Sequence, residues 1–150
     1  MTKITDQLWI GDSRDAEHAD LHANGISAIL NVAHDLQCRR GWTDHVLYAQ
    51  CGIVDGPGTT MAAYHSALLQ LCSLMNGGRV TLVVDHDGTS RAIAIAVMAL
   101  NVVAGRFGWD HWVGKIKELR GLAEGFTPHE VHHKAFNRIN WRLVGTAMVE

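Results

Sequence analysis

The chain has 150 residues, 47% of them hydrophobic, and its 13 Lys and Arg against 15 Asp and Glu leave a formal charge of −2. That is enough apolar chain to core one domain over residues 1–150 and too little for two. The near-neutral balance argues against a polycationic nucleic-acid face or a polybasic membrane segment. The polar opening Met1-Thr2-Lys3-Ile4-Thr5-Asp6 is unlike a signal peptide, and the longest apolar run, 92–104, is too short to span a bilayer, so a cytoplasmic location is expected.

In chain order, residues 4–10 read as a strand ending before Gly11. Ser13 then caps a helix through Asp15, Ala16, Ala19, Leu21 and Ala23 that Gly25 terminates. Residues 26–32 and 46–54 are apolar runs of strand length, and Asp55-Gly56-Pro57-Gly58 is a turn-forming loop. Helical spacing of Tyr64, Leu68, Leu71, Cys72 and Met75 predicts a helix over 61–75, stopped by Asn76-Gly77-Gly78. A central strand over 79–84 and a helix over 91–103 follow, with further helices over 109–119 and 128–144. Strands alternating with helices predict an α/β fold: a mostly parallel central sheet flanked by helices. Three cysteines, Cys38, Cys51 and Cys72, show no metal-ligand spacing and leave an odd thiol, as expected of reduced cysteines.

The segment Val80-Thr81-Leu82-Val83-Val84-Asp85-His86-Asp87-Gly88-Thr89-Ser90-Arg91 carries the chemistry. A β-branched run stops at a polar, glycine-containing loop, and an apolar helix starts at once. Loop amides then converge on the positive end of that helix, a geometry that holds an oxyanion. Arg91 adds a planar fork suited to two phosphate oxygens. A phosphorylated ligand is the expectation.

With Gly88 and Ser90 standing between Asp85 and Arg91, and Asn76-Gly77-Gly78-Arg79-Val80 before the loop, the chain resembles the dual-specificity branch of the cysteine-dependent protein phosphatases. The likeness extends to Ile4-Thr5-Asp6-Gln7-Leu8-Trp9-Ile10-Gly11, similar to that family's opening strand, and to Gly25-Ile26 with Leu30-Asn31-Val32, similar to its second. It covers roughly residues 4–119. The resemblance implies metal-free, cofactor-free hydrolysis of a phosphate monoester, on a phosphorylated protein or another such ester. It implies phosphate binding by His86, Asp87, Gly88, Thr89, Ser90 and Arg91. Position 85 would carry the nucleophile, and Ser90 would assist its release. Asp55, thirty positions before Asp85, would be the general acid.

Two positions depart from the family pattern. Asp85 stands where the family has its nucleophilic cysteine, and Val84 where it has the preceding histidine. The chemistry needs a thiolate that attacks phosphorus. A carboxylate carries the same charge but is harder and less polarisable, and it can fold back into the anion cradle itself. The chain is therefore expected to be inactive or severely impaired. An engineered Cys-to-Asp change fits the retention of Arg91, Ser90, Gly88 and Asp55; the alternative is a natural pseudophosphatase that binds phosphorylated partners without cleaving them, to which the loss of histidine at Val84 lends support.

Simpler roles stand beside these. Asp55 could be a turn former, Ser90 a helix cap and Arg91 a surface ion-pair residue, while His86 and Asp87 would face solvent at the pocket rim. A rival from another class is His129-Glu130-Val131-His132-His133, which matches the zinc-protease pattern His-Glu-x-x-His. It lies in a helix's first turn, after Thr127 and Pro128, without the continuation Gly-x-x-His. Ten histidines in so short a chain also make a chance match easy.

Overall fold

In the computed structural model, which describes residues 1–18, 20–37, 46–122 and 127–148, five strands form one sheet. They are β1 (Thr2–Thr5), β2 (Leu8–Gly11), β3 (Ala28–Ala33), β4 (Leu47–Ile53) and β5 (Thr81–Val84), in the spatial order β1-β2-β5-β3-β4. The inner pairings are parallel, and only β1 runs antiparallel to its neighbour. The helices are α1 (Ser13–His18), α2 (Met61–Asn76), α3 (Arg91–Val103), α4 (Trp109–Arg120), α5 (Glu130–Phe136) and α6 (Trp141–Met148).

Alternation along the strands divides the core. Leu30, Val32 and Val83 point into the larger cluster with residues of α2 to α6, while Ile29, Ala33, Leu82 and Val84 meet Ala16 of α1, Ile26 and Leu36 on the other face. Helices thus cover both faces unequally. The central helix α3 is buried from Arg91 to Asn101. Each of Ile93, Ile95, Val97 and Leu100 contributes roughly 1.5–3 kcal/mol by leaving water, so the start of α3 is anchored by packing rather than by a cap.

Three expected elements differ. The first strand is a hairpin, because the chain turns at Asp6-Gln7, where Thr5 Oγ1 accepts from the Gln7 amide at 3.2 Å and Lys3 pairs with Trp9. Asp12, not Ser13, caps α1: Asp12 Oδ1 accepts from Asp15 N at 2.8 Å and Asp15 Oδ2 accepts from Asp12 N at 2.9 Å, a reciprocal capping box. That helix ends at His18, and Gly25, at φ 73°, closes a later turn in which Asn24 N donates to Asp20 O. The expected C-terminal helix is two, since Asn140 Oδ1 accepts from Leu143 N and starts α6 afresh, letting Trp141 pack back on Phe136 with ring centroids 4.7 Å apart. Ala19 and Cys38 lie outside the described residues. No helix among the described residues is long and apolar enough to cross a membrane.

Candidate active site

The loop from β5 to α3 doubles back towards the end of β2. Gly88 makes this possible at φ 72°: a Cβ there would meet Gly11 O at 2.8 Å and an Arg120 guanidinium nitrogen at 2.9 Å. Asp87 braces the loop by accepting from Thr89 N at 3.1 Å and Thr89 Oγ1 at 2.7 Å. Gly88 is buried, and His86 and Asp87 are exposed at the rim.

Asp85 directly follows β5 and is 1% exposed. One carboxylate oxygen accepts from Gly88 N and the other from Ala92 N at 3.0 Å. Asp85 therefore engages two donors of the loop and helix start itself. Burial pushes its carboxyl above the usual range and the Asp87 charge adds to this, outweighing the two amide bonds and Arg91.

Arg91, the first residue of α3, is 6% exposed and is not a surface ion-pair residue. One terminal nitrogen donates to Asp35 Oδ1 at 2.8 Å and Ile53 O at 3.2 Å, while its Nε is buried without a hydrogen-bond partner. His86 Nε2 lies 3.1 Å from the same Asp35 oxygen. Desolvation would raise Asp35, but the Arg91 hydrogen bond and charge, with His86, hold it below the usual carboxylate range. A second arginine, Arg120, donates to Ile10 O at 2.8 Å and Thr2 Oγ1 at 3.3 Å. Burial lowers its pKa, against the charges of Asp15, Asp85, Asp12 and Asp87.

Ser90 stands at the N-cap of α3 but its hydroxyl does not cap the helix. It donates to Asp55 Oδ1 at 2.6 Å and accepts from His129 N at 3.1 Å. The same Asp55 oxygen lies 2.8 Å from His132 Nε2, and His132 Nδ1 lies 2.8 Å from Tyr64 Oη. Asp55 is 40% exposed, His132 fully buried. Burial would raise Asp55, yet the hydrogen bonds from Ser90 and His132, with the charge of Arg91, hold it low. Burial lowers His132, a shift that Asp55 opposes, and pushes the Tyr64 hydroxyl up to about 12.

The fold thus gathers Asp85, Ser90, Arg91 and Asp55 at the carboxyl end of the sheet, where parallel α/β folds bind ligands. It also brings in Asp35, Tyr64, His132 and Arg120, which sequence reasoning missed. Tyr64 reads as a core position of a helix, and His132 falls on a variable position of the His-Glu-x-x-His pattern. The partners lie 56 residues apart for Asp35 and Arg91 and 77 for Asp55 and His132, so no local spacing signals them.

The zinc reading loses its ligands to other tasks. His129 is the N-cap of α5, its Nδ1 accepting from Val131 N at 3.1 Å, and the His133 ring stacks on Trp109 at 5.0 Å. Among the described residues no group of three or more His, Cys, Asp or Glu is placed to hold a metal. Of the described thiols, Cys72 is buried, which pushes it up to about 12. Cys51 lies on β4, its sulfur donating to Gln70 Oε1 on α2.

No protein-family model matches the chain. It is 28% identical over 126 residues to dual specificity protein phosphatase 22-A of Danio rerio, which covers 81% of this chain and 58% of that protein; the chain spans a little over half of that relative's length. The solved structure of DUSP15 superposes with a TM-score of 0.81 at 21% identity, covering 99% of this chain and 92% of that one. A mouse candidate dual specificity phosphatase complexed with zinc tungstate superposes at 0.79 and 21% identity, covering 98% and 90%.

Proposed function

We propose that this chain, which has the dual-specificity phosphatase fold and resembles those phosphatases in sequence, is one cytoplasmic domain over residues 1–150 built to bind and hydrolyse phosphate monoesters, and that Asp85 disarms it. The observation that carries this is a buried carboxyl group, that of Asp85, accepting from Gly88 N and Ala92 N at the start of α3. A phosphoryl oxygen calls for the same donors. The unpartnered Nε of Arg91 is a further donor for it.

With cysteine at position 85 the reaction balances in two in-line displacements. The thiolate attacks phosphorus as the ester bond breaks, and the leaving oxygen takes a proton from Asp55. Asp55, now ionised, takes a proton from water, whose oxygen attacks the phosphocysteine. Inorganic phosphate leaves, and Ser90 stabilises the departing thiolate. Arg91 and the amides from His86 to Arg91 hold the phosphoryl charge throughout. No metal or cofactor takes part in these steps. Phosphorylated proteins or other phosphate monoesters are the substrates.

With aspartate the attacking group is harder and already bonded to the donors the phosphate needs. The rest of the site is what a Cys-to-Asp change made to disarm an enzyme would leave. The second reading, a natural pseudophosphatase, is favoured by how completely the cradle satisfies the Asp85 carboxylate. The Asp85→Cys variant tests the proposal: hydrolysis of an aryl phosphate should rise by about 10³-fold or more. Phosphopeptide binding without turnover after that exchange would support the pseudophosphatase, and affinity for neither vanadate nor phosphopeptide would refute both.

A further inference from the structure

Asp55 sits on a glycine-containing loop whose own backbone does little to hold its carboxylate. Gly56 and Gly58 lie at φ 159° and 115°, and the side chain is 40% exposed. What holds it is a chain of side chains reaching into the core: Asp55 Oδ1 to His132 Nε2 at 2.8 Å, and His132 Nδ1 to Tyr64 Oη at 2.8 Å. His132 is 0% and Tyr64 1% exposed, and their rings meet edge to face at 5.9 Å. Tyr64 belongs to α2 and His132 to α5, so two helices aim one carboxylate at the start of α3.

We propose that His132 is a positioning residue for Asp55: oriented by Tyr64, it holds the carboxylate against Ser90 and governs when that carboxylate carries a proton. The inference rests on the acid–base role proposed for Asp55 above. One tautomer satisfies every member. Tyr64 Oη–H donates to Nδ1, which leaves the proton of neutral His132 on Nε2 to donate to Asp55. Ser90 Oγ–H supplies the second donor to the same oxygen at 2.6 Å. Among the described residues every bond to Asp55 falls on Oδ1, leaving Oδ2 to carry the proton that a leaving oxygen takes.

Asp55 favours a charge on His132, and the groups around the pair act against it. Arg91 stabilises ionised Asp55 and disfavours a charge on His132; the His129 ring, 6.1 Å from His132, disfavours that charge as well. Burial of His132 works the same way. His132 therefore stays a neutral donor, and Asp55 parts with its proton readily. His132, one of the residues between the two histidines of the zinc-like pattern, thus serves the phosphate site.

The test follows the Asp55 carboxyl carbon by NMR across a pH titration, in the chain as it stands and in Tyr64→Phe, His132→Ala and His132→Gln. Tyr64→Phe removes only a hydroxyl, so it reports even if His132→Ala does not fold. The expected result is an upward shift of the Asp55 titration in Tyr64→Phe and a larger one in His132→Ala, with His132→Gln, which keeps a donor, restoring part of the difference. In the Asp85→Cys background the basic limb of the pH–rate profile for an alkyl phosphate should move up in parallel, because an alkoxide needs the Asp55 proton. An aryl phosphate with a good leaving group should respond little. An unmoved Asp55 titration in every variant that folds would overturn the inference, as would equal losses on both esters with the basic limb in place. If Asp85→Cys is inert while the titration shifts, the proposed reaction fails and the coupling of His132 to Asp55 stands.

Discussion

Replacing Asp85 by asparagine separates the two opposed effects on that residue. The carboxylate is 1% exposed and accepts two backbone N–H bonds. Asparagine keeps one acceptor oxygen and turns an amide N–H₂ towards the other donor, leaving one buried amide unpaired, at a cost of about 1–3 kcal/mol. It also removes a buried charge. Because burial raises the folded pKa of Asp85 above 3.8, the folded state binds a proton that the unfolded chain releases. Stability from this source is fully present below the unfolded value and is lost as pH rises through the folded one. The loss is about 1.4 kcal/mol for each pH unit that separates the two values. Protonated Asp85 and asparagine have nearly the same shape and the same donor and acceptor pattern. The variant should therefore lie close to the parent in acid and gain on it as pH rises. Urea unfolding midpoints of both proteins at a series of pH values from about 4 to 8 measure this. A stability difference independent of pH, or a parent that gains on the variant as pH rises, would show that the loop amides outweigh burial and would refute the argument.

Asp35→Asn withdraws the charge opposite buried Arg91. Since Asp35 is 51% exposed and water screens the pair, the expected destabilisation is modest, about 1 kcal/mol, read from thermal unfolding, while vanadate affinity of the Asp85→Cys form should rise as a guanidinium nitrogen is released. Gly88→Ala places a methyl 2.8 Å from Gly11 O at positive φ and should cost about 1–3 kcal/mol; an unchanged melting temperature would show that the loop relaxes freely. In the Asp85→Cys background, Asp55→Asn should reduce turnover of an alkyl phosphate by about 10²-fold or more and spare an activated aryl ester. Asp55 and Asp35 are both held below 3.8. Whatever stability their ionised forms contribute is present above that value and lost as pH falls through their folded values, a slope that acid unfolding of Asp55→Asn should lack.

How far local pattern reaches is clearest at α3. Its apolar run, the glycine and hydroxyl residues before it and Arg91 at its head are consecutive, so backbone propensity and hydrophobic burial make the strand, loop and helix legible from the chain alone. The capping box of Asp12 and Asp15 and the split between α5 and α6 are local too, but side-chain hydrogen bonds set them, and hydrophobic periodicity does not register such bonds. Asp35 on Arg91, and Tyr64 through His132 on Asp55, belong to a different order. Parallel crossovers carry distant segments to one end of the sheet, and burial then sets which nitrogen donates and which carboxyl ionises. Residue types and their order raised the expectation of an anion cradle here. Only the packed protein decided that a buried carboxylate fills the place and that a histidine embedded in a zinc-like pattern holds its acidic neighbour. The strengths of those contacts come from desolvation, which exists only once the chain has closed around them.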